Sequence, residues 1–208
     1  MLQPKVHGEM CGSSLKSGSC LLLALGANLT SNVGAPEITL RAALELLKIH
    51  GATIRATSPF YSTPAYPAGN GPDYINAAVR IAAPWSPAQT LETCHQIEAE
   101  LGRKRAQRWG QRTLDLDLIA YDDQVLPDPQ THARWRDLPV ERQKTDTPDQ
   151  LILPHPRLQE RAFVLVPLAD VAPEWVHPAL GLSVAQMRDR LDPTDLKAVC
   201  PLSEKTLN

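Results

Sequence analysis

The 208-residue chain carries 21 Lys and Arg against 23 Asp and Glu, a net charge of −2, so it lacks the basic field expected of a general nucleic-acid binder. No apolar run reaches the ~18 residues that a membrane-spanning helix needs. Its four cysteines, Cys11, Cys20, Cys94 and Cys200, form no C-x-x-C pair; a zinc site or disulfide framework is not expected, and free thiols in a reducing cytoplasm are.

Residues 1–18 read as a disordered extension, and 19–208 as a single domain. Lys5 and Lys16 ahead of Cys20–Leu25 faintly resemble a secretion signal. The run is short, glycine and serine precede it, and it reads better as a buried first strand, Leu21 to Gly26. Pro36 opens a helix whose stripe of Ile38, Leu40, Ala43, Leu44 and Leu47 ends at Gly51. Thr53 to Tyr61 is β-rich and predicts a second strand, Thr63 to Pro72 a long loop, and Tyr74 to Ala82 a third strand. Pro87 starts a second helix, with Leu91, Cys94, Ile97, Glu98 and Leu101 on one face, and Gly102 ends it.

Leu114 to Tyr121 is the fourth strand, followed by a turn at Asp122-Asp123; Val125-Leu126 is placed to pair back. Residues 127–150, rich in Pro, Asp, Arg and Gln, read as an exposed insertion. Leu151 to Leu153 resumes an apolar strand, Phe163 to Leu168 follows, and Ser183 to Leu191 is a short C-terminal helix. The order strand, helix, strand, strand, helix, strand predicts an α+β fold: a ferredoxin-like β-α-β-β-α-β sandwich, an antiparallel sheet with helices on one face, plus a C-terminal extension.

The densest chemistry lies between Gly102 and Asp117, where Arg103, Lys104, Arg105, Arg108 and Arg112 precede two carboxylates. On a strand, Asp115 and Asp117 share one face while Leu114, Leu116 and Leu118 share the other. A D-x-D by itself is more often a solvated face than a metal site, and a basic run is more often a solvated loop. Together they fit a hard divalent ion that takes one or two carboxylates plus substrate phosphates, with arginines making charge-assisted contacts to those phosphates. Trp109 and two glycines inside the basic run suit a loop that closes on a ligand.

Several segments resemble the 6-hydroxymethyl-7,8-dihydropterin pyrophosphokinase family. They are Leu25-Gly26-Ala27-Asn28-Leu29, Ser58-Pro59-Phe60-Tyr61-Ser62-Thr63-Pro64, Pro72-Asp73-Tyr74-Ile75-Asn76-Ala77, Arg108-Trp109-Gly110-Gln111-Arg112-Thr113-Leu114-Asp115-Leu116-Asp117, Leu153-Pro154-His155-Pro156-Arg157 and Arg161-Ala162-Phe163-Val164-Leu165-Val166-Pro167-Leu168. They occur in the family's order. The resemblance implies transfer of the β,γ-pyrophosphoryl group of ATP to the hydroxymethyl group of the dihydropterin, with release of AMP, in folate biosynthesis.

It also implies two Mg²⁺ ions with ATP, held by Asp115 and Asp117, and Asp117 as a candidate acceptor of the hydroxymethyl proton. Arg103, Arg105 and Arg112 are carried over as catalytic residues, and Glu98, Arg105, Arg112, His155 and Arg161 as ATP-binding. The pterin slot maps to Thr63, Pro64, Tyr66, Tyr74, Asn76, Trp109 and Phe163. Tyr74 and Phe163 can stack on a flat heterocycle, though either can equally be a core residue; His155 stands between functional and structural readings. The implied protein is a cytoplasmic monomer with no nucleic-acid or membrane partner, and its length leaves no room for a fused folate-pathway domain.

The chain departs in places from the best-known member of the family. The segment between Gly102 and Trp109 is one residue shorter, His95 stands where a glutamine is usual, Gln111 replaces a proline and Tyr66 an aliphatic residue. A nucleotide-sensing module without chemistry would not need the paired carboxylates. An RNA-binding domain on the same fold would need exposed aromatics on the sheet, and aromatics are 5% of the chain.

Overall fold

A computed structural model describes residues 18–65, 71–103 and 112–202. Residues 1–17, read above as part of a disordered extension, lie outside the described residues. So do Tyr66, Arg105 and Trp109 of the expected site.

Strand β1 (Ser19–Ala27) is central. It pairs antiparallel with β4 (Tyr74–Ala83) on one side and with β5 (Asp115–Tyr121) on the other. Beyond β4 lie β2 (Thr53–Thr57) and β3 (Tyr61–Thr63), each pairing with a different stretch of β4. The order β5-β1-β4-β2/β3 is that of a ferredoxin-like sheet, as the sequence predicts.

The predicted single strand Thr53–Tyr61 is two strands. Pro59 has no N–H to donate to a ladder. Ser58 bridges the gap: its N–H donates to the Ala78 carbonyl at 3.0 Å, and its Oγ accepts from the Ala78 N–H at 2.9 Å.

Helices α1 (Pro36–Ile49) and α2 (Pro87–Glu100) cover one face of the sheet. Both carry proline in the first turn, where a missing N–H costs nothing. Ser86 and Gln89 form a capping box at the start of α2. Leu40, Leu47, Cys94 and Ile97 pack on Leu21, Leu23, Leu25, Val79, Ile81, Leu116 and Leu118. Burying each large aliphatic side chain contributes roughly 1.5–3 kcal/mol.

The C-terminal extension covers the opposite face. Phe163–Leu168 belongs to helix α5 (Ala162–Val171), which places Val164, Leu165 and Leu168 against Leu22, Ala78 and Ile119. The expected arrangement of helices on one face therefore describes α1 and α2, and α5 completes a third layer.

Residues 127–150 contain two short helices, α3 (Pro129–Arg136) and α4 (Val140–Thr145). The polar composition conceals them because α3 rests on its Asp128 cap and a single buried side chain, His132. Reciprocal bonds between Leu126 and Leu153 close the base of this segment; Leu151–Leu153 is thus an isolated bridge rather than a strand. Helices α6 (Val184–Arg188) and α7 (Pro193–Lys197) follow, and β6 (Cys200–Pro201) pairs with β3.

Candidate active site

Asp115 and Asp117 lie on β5, each half-buried, with Leu116 and Leu118 turned into the α1/α2 core. The alternation is the one read from sequence. The register fixes what stands beside them. Asp115 is opposite Gly26, and Gly26 is opposite Asn76; Asp117 is opposite Ala24, and Ala24 is opposite Ala78. Directly opposed residues share a face, so the two carboxylates look over a floor of small side chains toward Asn76. A methyl group at Gly26 would come within 3.1 Å of Asn76 Oδ1. Asn76 in turn donates from Nδ2 to Thr63 Oγ1 at 2.7 Å.

Cations gather on Asp115. Arg103, at the end of α2, donates to its Oδ1 at 2.7 Å, and Arg112 bonds its Oδ2. Burial and the charge of Asp117 push the Asp115 carboxyl up, against the pull of these guanidiniums. Arg103 also pairs with Glu98.

Glu98 is 2% exposed and accepts the Leu116 N–H at 2.9 Å, an amide that β5, as an edge strand, would otherwise leave unpaired. Burial pushes its carboxyl up to about 7, only partly offset by that N–H and by Arg103.

Further residues join from the C-terminal layer. His155 is held by its backbone N–H to the Ile119 carbonyl, and its Nδ1 accepts the Arg157 N–H at 3.2 Å. That bond leaves the proton on Nε2. Burial, with Arg161 and Arg157 nearby, pushes the ring down to about 3, so it is neutral; Asp115 acts in the other direction. Arg161, the residue before α5, feels Asp117 and Asp115.

Phe163 is 41% exposed beneath the Arg161 guanidinium, 5.7 Å from ring centroid to Cζ. It is not a core residue. Tyr74 is half-buried and stands outside the core clusters; burial raises its hydroxyl, with Arg112 and Asp115 as its charged neighbours. Pro64 is exposed beside Thr63.

Asp115, Asp117, Arg103, Arg112, Glu98, His155 and Arg161 thus form one charged cluster; Thr63, Tyr74 and Asn76 form a second, aromatic and amide-bearing group, and Phe163 lies against Arg161. One residue without an assigned role in the sequence reading enters the first cluster: Asn28, which bonds to the Arg112 backbone. Its signal was present in the Gly26-Ala27-Asn28 run, but a buried amide's partners cannot be read from a linear motif.

Two carboxylates on a sheet floor, with arginines bonded to one of them and an amide and an aromatic ring on the same face, have the chemistry that a polyphosphate and a flat heterocycle would need. The chain matches the 7,8-dihydro-6-hydroxymethylpterin-pyrophosphokinase family over residues 22–173. It is 37% identical over 174 residues to the 2-amino-4-hydroxy-6-hydroxymethyldihydropteridine pyrophosphokinase of Synechocystis sp., covering 83% of this chain and 78% of that one. It is 36% identical over 172 residues to the enzyme of the same name from Methylorubrum extorquens, covering 82% and 95%.

Among solved structures, the fold matches wild-type Plasmodium falciparum HPPK-DHPS with a TM-score of 0.59 at 16% identity, over 83% of this chain and 44% of that one. The chain spans less than half of that fusion. The protein belongs to the hydroxymethyldihydropterin pyrophosphokinase family. It is an ATP-dependent diphosphotransferase of folate synthesis.

Proposed function

We propose that this site transfers pyrophosphate from ATP to 6-hydroxymethyl-7,8-dihydropterin with the residue roles that follow. The observation that supports the reading is the row Asn76–Gly26–Asp115, an amide and a carboxylate on one face across an open glycine.

Asp115 and Asp117 fit Mg²⁺, two ions arriving with ATP. Their donors are hard oxygens, and the guanidiniums on Asp115 already occupy the place of a cation. Mg²⁺ held by these two carboxylates would take its remaining oxygens from phosphate and water, as it prefers. Bound there, the metal supplies charge neutralisation at the phosphate oxygens.

Arg103, Arg112 and Arg161 grip phosphate oxygens, and neutral His155 donates its Nε2–H to one. Arg105 joins them by resemblance. Glu98 holds Arg103 in reach rather than meeting ATP itself. Asn76 and Thr63 read the pterin edge, beside Pro64 and Tyr66. Tyr74 and Phe163 flank the ring, and Trp109 covers it.

The hydroxymethyl oxygen attacks the β-phosphorus, the bond from that phosphorus to the α,β-bridging oxygen breaks, AMP leaves, and Asp117 accepts the hydroxyl proton. Little covalent chemistry is asked of the protein; positioning and electrostatics supply the rate. We further propose a monomer acting in the cytoplasm. Among the described residues no helix is long and apolar enough to cross a membrane.

The test is AMP release from ATP and Mg²⁺, with and without the dihydropterin, in wild type and Asp117→Ala. Pterin-dependent AMP formation that falls at least about 10²-fold in the variant supports the assignment. Pterin-independent AMP, or full activity in the variant, overturns it.

A further inference from the structure

Asn28 is the first residue after β1 and is 3% exposed. A buried amide must find partners for both ends, and those of Asn28 come from two distant segments. Its Nδ2 donates to the Pro72 carbonyl at 3.2 Å, and its Oδ1 accepts the Arg112 N–H at 2.9 Å. The Arg112 carbonyl accepts from the Asn28 N–H at 3.1 Å and the Leu29 N–H at 3.3 Å. Both backbone groups of Arg112 are therefore held by the end of β1. The same side chain holds Pro72, two residues before Tyr74 at the start of β4. Arg112 then reaches Asp115.

We propose that Asn28 is a positioning residue that ties the pterin side of the site to the phosphate side: the Nδ2 arm sets the approach to Tyr74 and Asn76, and the Oδ1 arm sets Arg112 on Asp115. The inference rests on the pyrophosphokinase reading above. Two features separate the role from ordinary core satisfaction. The partners are both backbone groups of site-bearing segments, not of the sheet. And the two arms have different chemistry, one donor and one acceptor, so they can be removed separately. Asn28→Asp keeps an acceptor for the Arg112 N–H but sets oxygen against the Pro72 carbonyl. Asn28→Ala removes both arms.

The experiment measures KM for ATP, KM for the dihydropterin, kcat and the melting temperature of the full chain for wild type, both variants, Arg112→Ala and the Asn28→Ala/Arg112→Ala pair. Asn28→Asp is expected to raise the pterin KM about fivefold or more, the scale of one lost hydrogen bond, and to leave the ATP KM within about twofold. Asn28→Ala is expected to raise both.

In the Arg112→Ala background, Asn28→Ala is expected to add nothing further to the ATP KM, because residues that act through one another are not additive. Lower melting temperatures with unchanged KM values in both variants would reduce Asn28 to a structural role and overturn the proposal. Equal losses on both substrates in Asn28→Asp, or full additivity with Arg112→Ala, would also overturn it. If Asn28→Ala does not fold, the substrate split in Asn28→Asp decides alone. Absence of pterin-dependent AMP in wild type would instead sink the functional reading. Amide exchange at Arg112, expected to quicken in Asn28→Ala but not in Asn28→Asp, then still tests the Oδ1 arm.

Discussion

Asn76 and Asp115 stand on either side of Gly26 in one row of the sheet, both on the face opposite the α1/α2 core. The glycine is the only separator, and its missing side chain leaves the surface between amide and carboxylate open. The spacing of one strand on each side is ~10 Å in all, the span that the proposed reading needs between a pterin edge and a phosphate.

Gly26→Ala would place a methyl group 3.1 Å from Asn76 Oδ1, tighter than relaxed contact. Alanine also suits a strand better than glycine, by roughly 0.5–1 kcal/mol. The expected result is a pterin KM raised several-fold with the melting temperature unchanged or higher. Steady-state kinetics beside a thermal melt checks this; a variant with wild-type pterin KM would show that the open floor has no part in binding.

Much of this site was legible because strand periodicity is local. Asp115 and Asp117 had to share a face once Leu114–Tyr121 was a strand, the arginine run beside them is plain in the sequence, and the aromatic positions came with the family resemblance. What the linear pattern hides is long-range partnership. Pro59 breaks a strand by lacking an N–H, but that Ser58 then satisfies both backbone groups of Ala78 is invisible in the linear pattern. Phe163 looks like part of an apolar core run, yet helical period turns it outward while Val164 and Leu165 go in. For Glu98, bonds to the Leu116 N–H and Arg103 could not be read from its place on a helix face.

Glu98 gives a pH signature. Its carboxyl rises from the usual 4.5 to about 7, chiefly through burial. Below pH 4.5 it is protonated in folded and unfolded chains alike, and its contribution to stability is complete. As pH rises toward 7 the unfolded chain releases the proton more readily than the folded one, and stability is lost. Glu98→Gln keeps an oxygen for the Leu116 N–H and does not titrate. The melting temperature of wild type relative to the variant is expected to fall between pH 4.5 and 7. Parallel curves would show that Glu98 is ionised throughout.

His177 has the opposite sign. It is fully buried with His132, their ring centroids 5.6 Å apart, and its Nδ1 accepts the Ala179 N–H at 3.1 Å. Burial, then the neighbouring His132, pushes it down to about 4. Its neutral form stabilises the fold above pH 6.5, and that contribution drains away as pH falls toward 4. His177→Asn retains an acceptor two residues before Ala179 and cannot charge. The variant is expected to lose less melting temperature than wild type across that window, on a scale of roughly 2–4 °C per kcal/mol for a chain of this size. Identical acid sensitivity in both proteins would remove His177 as the cause.

The carboxylate of Glu98 and the two-residue strand β6 do the same job at opposite margins of the sheet. One occupies the free amide of Leu116 on β5, and the other lies along β3. Exposed strand margins invite other chains to add on and so seed aggregation. The residue that pairs with Arg103 thus also covers an amide on the sheet margin, and Glu98→Ala is expected to aggregate more readily than wild type.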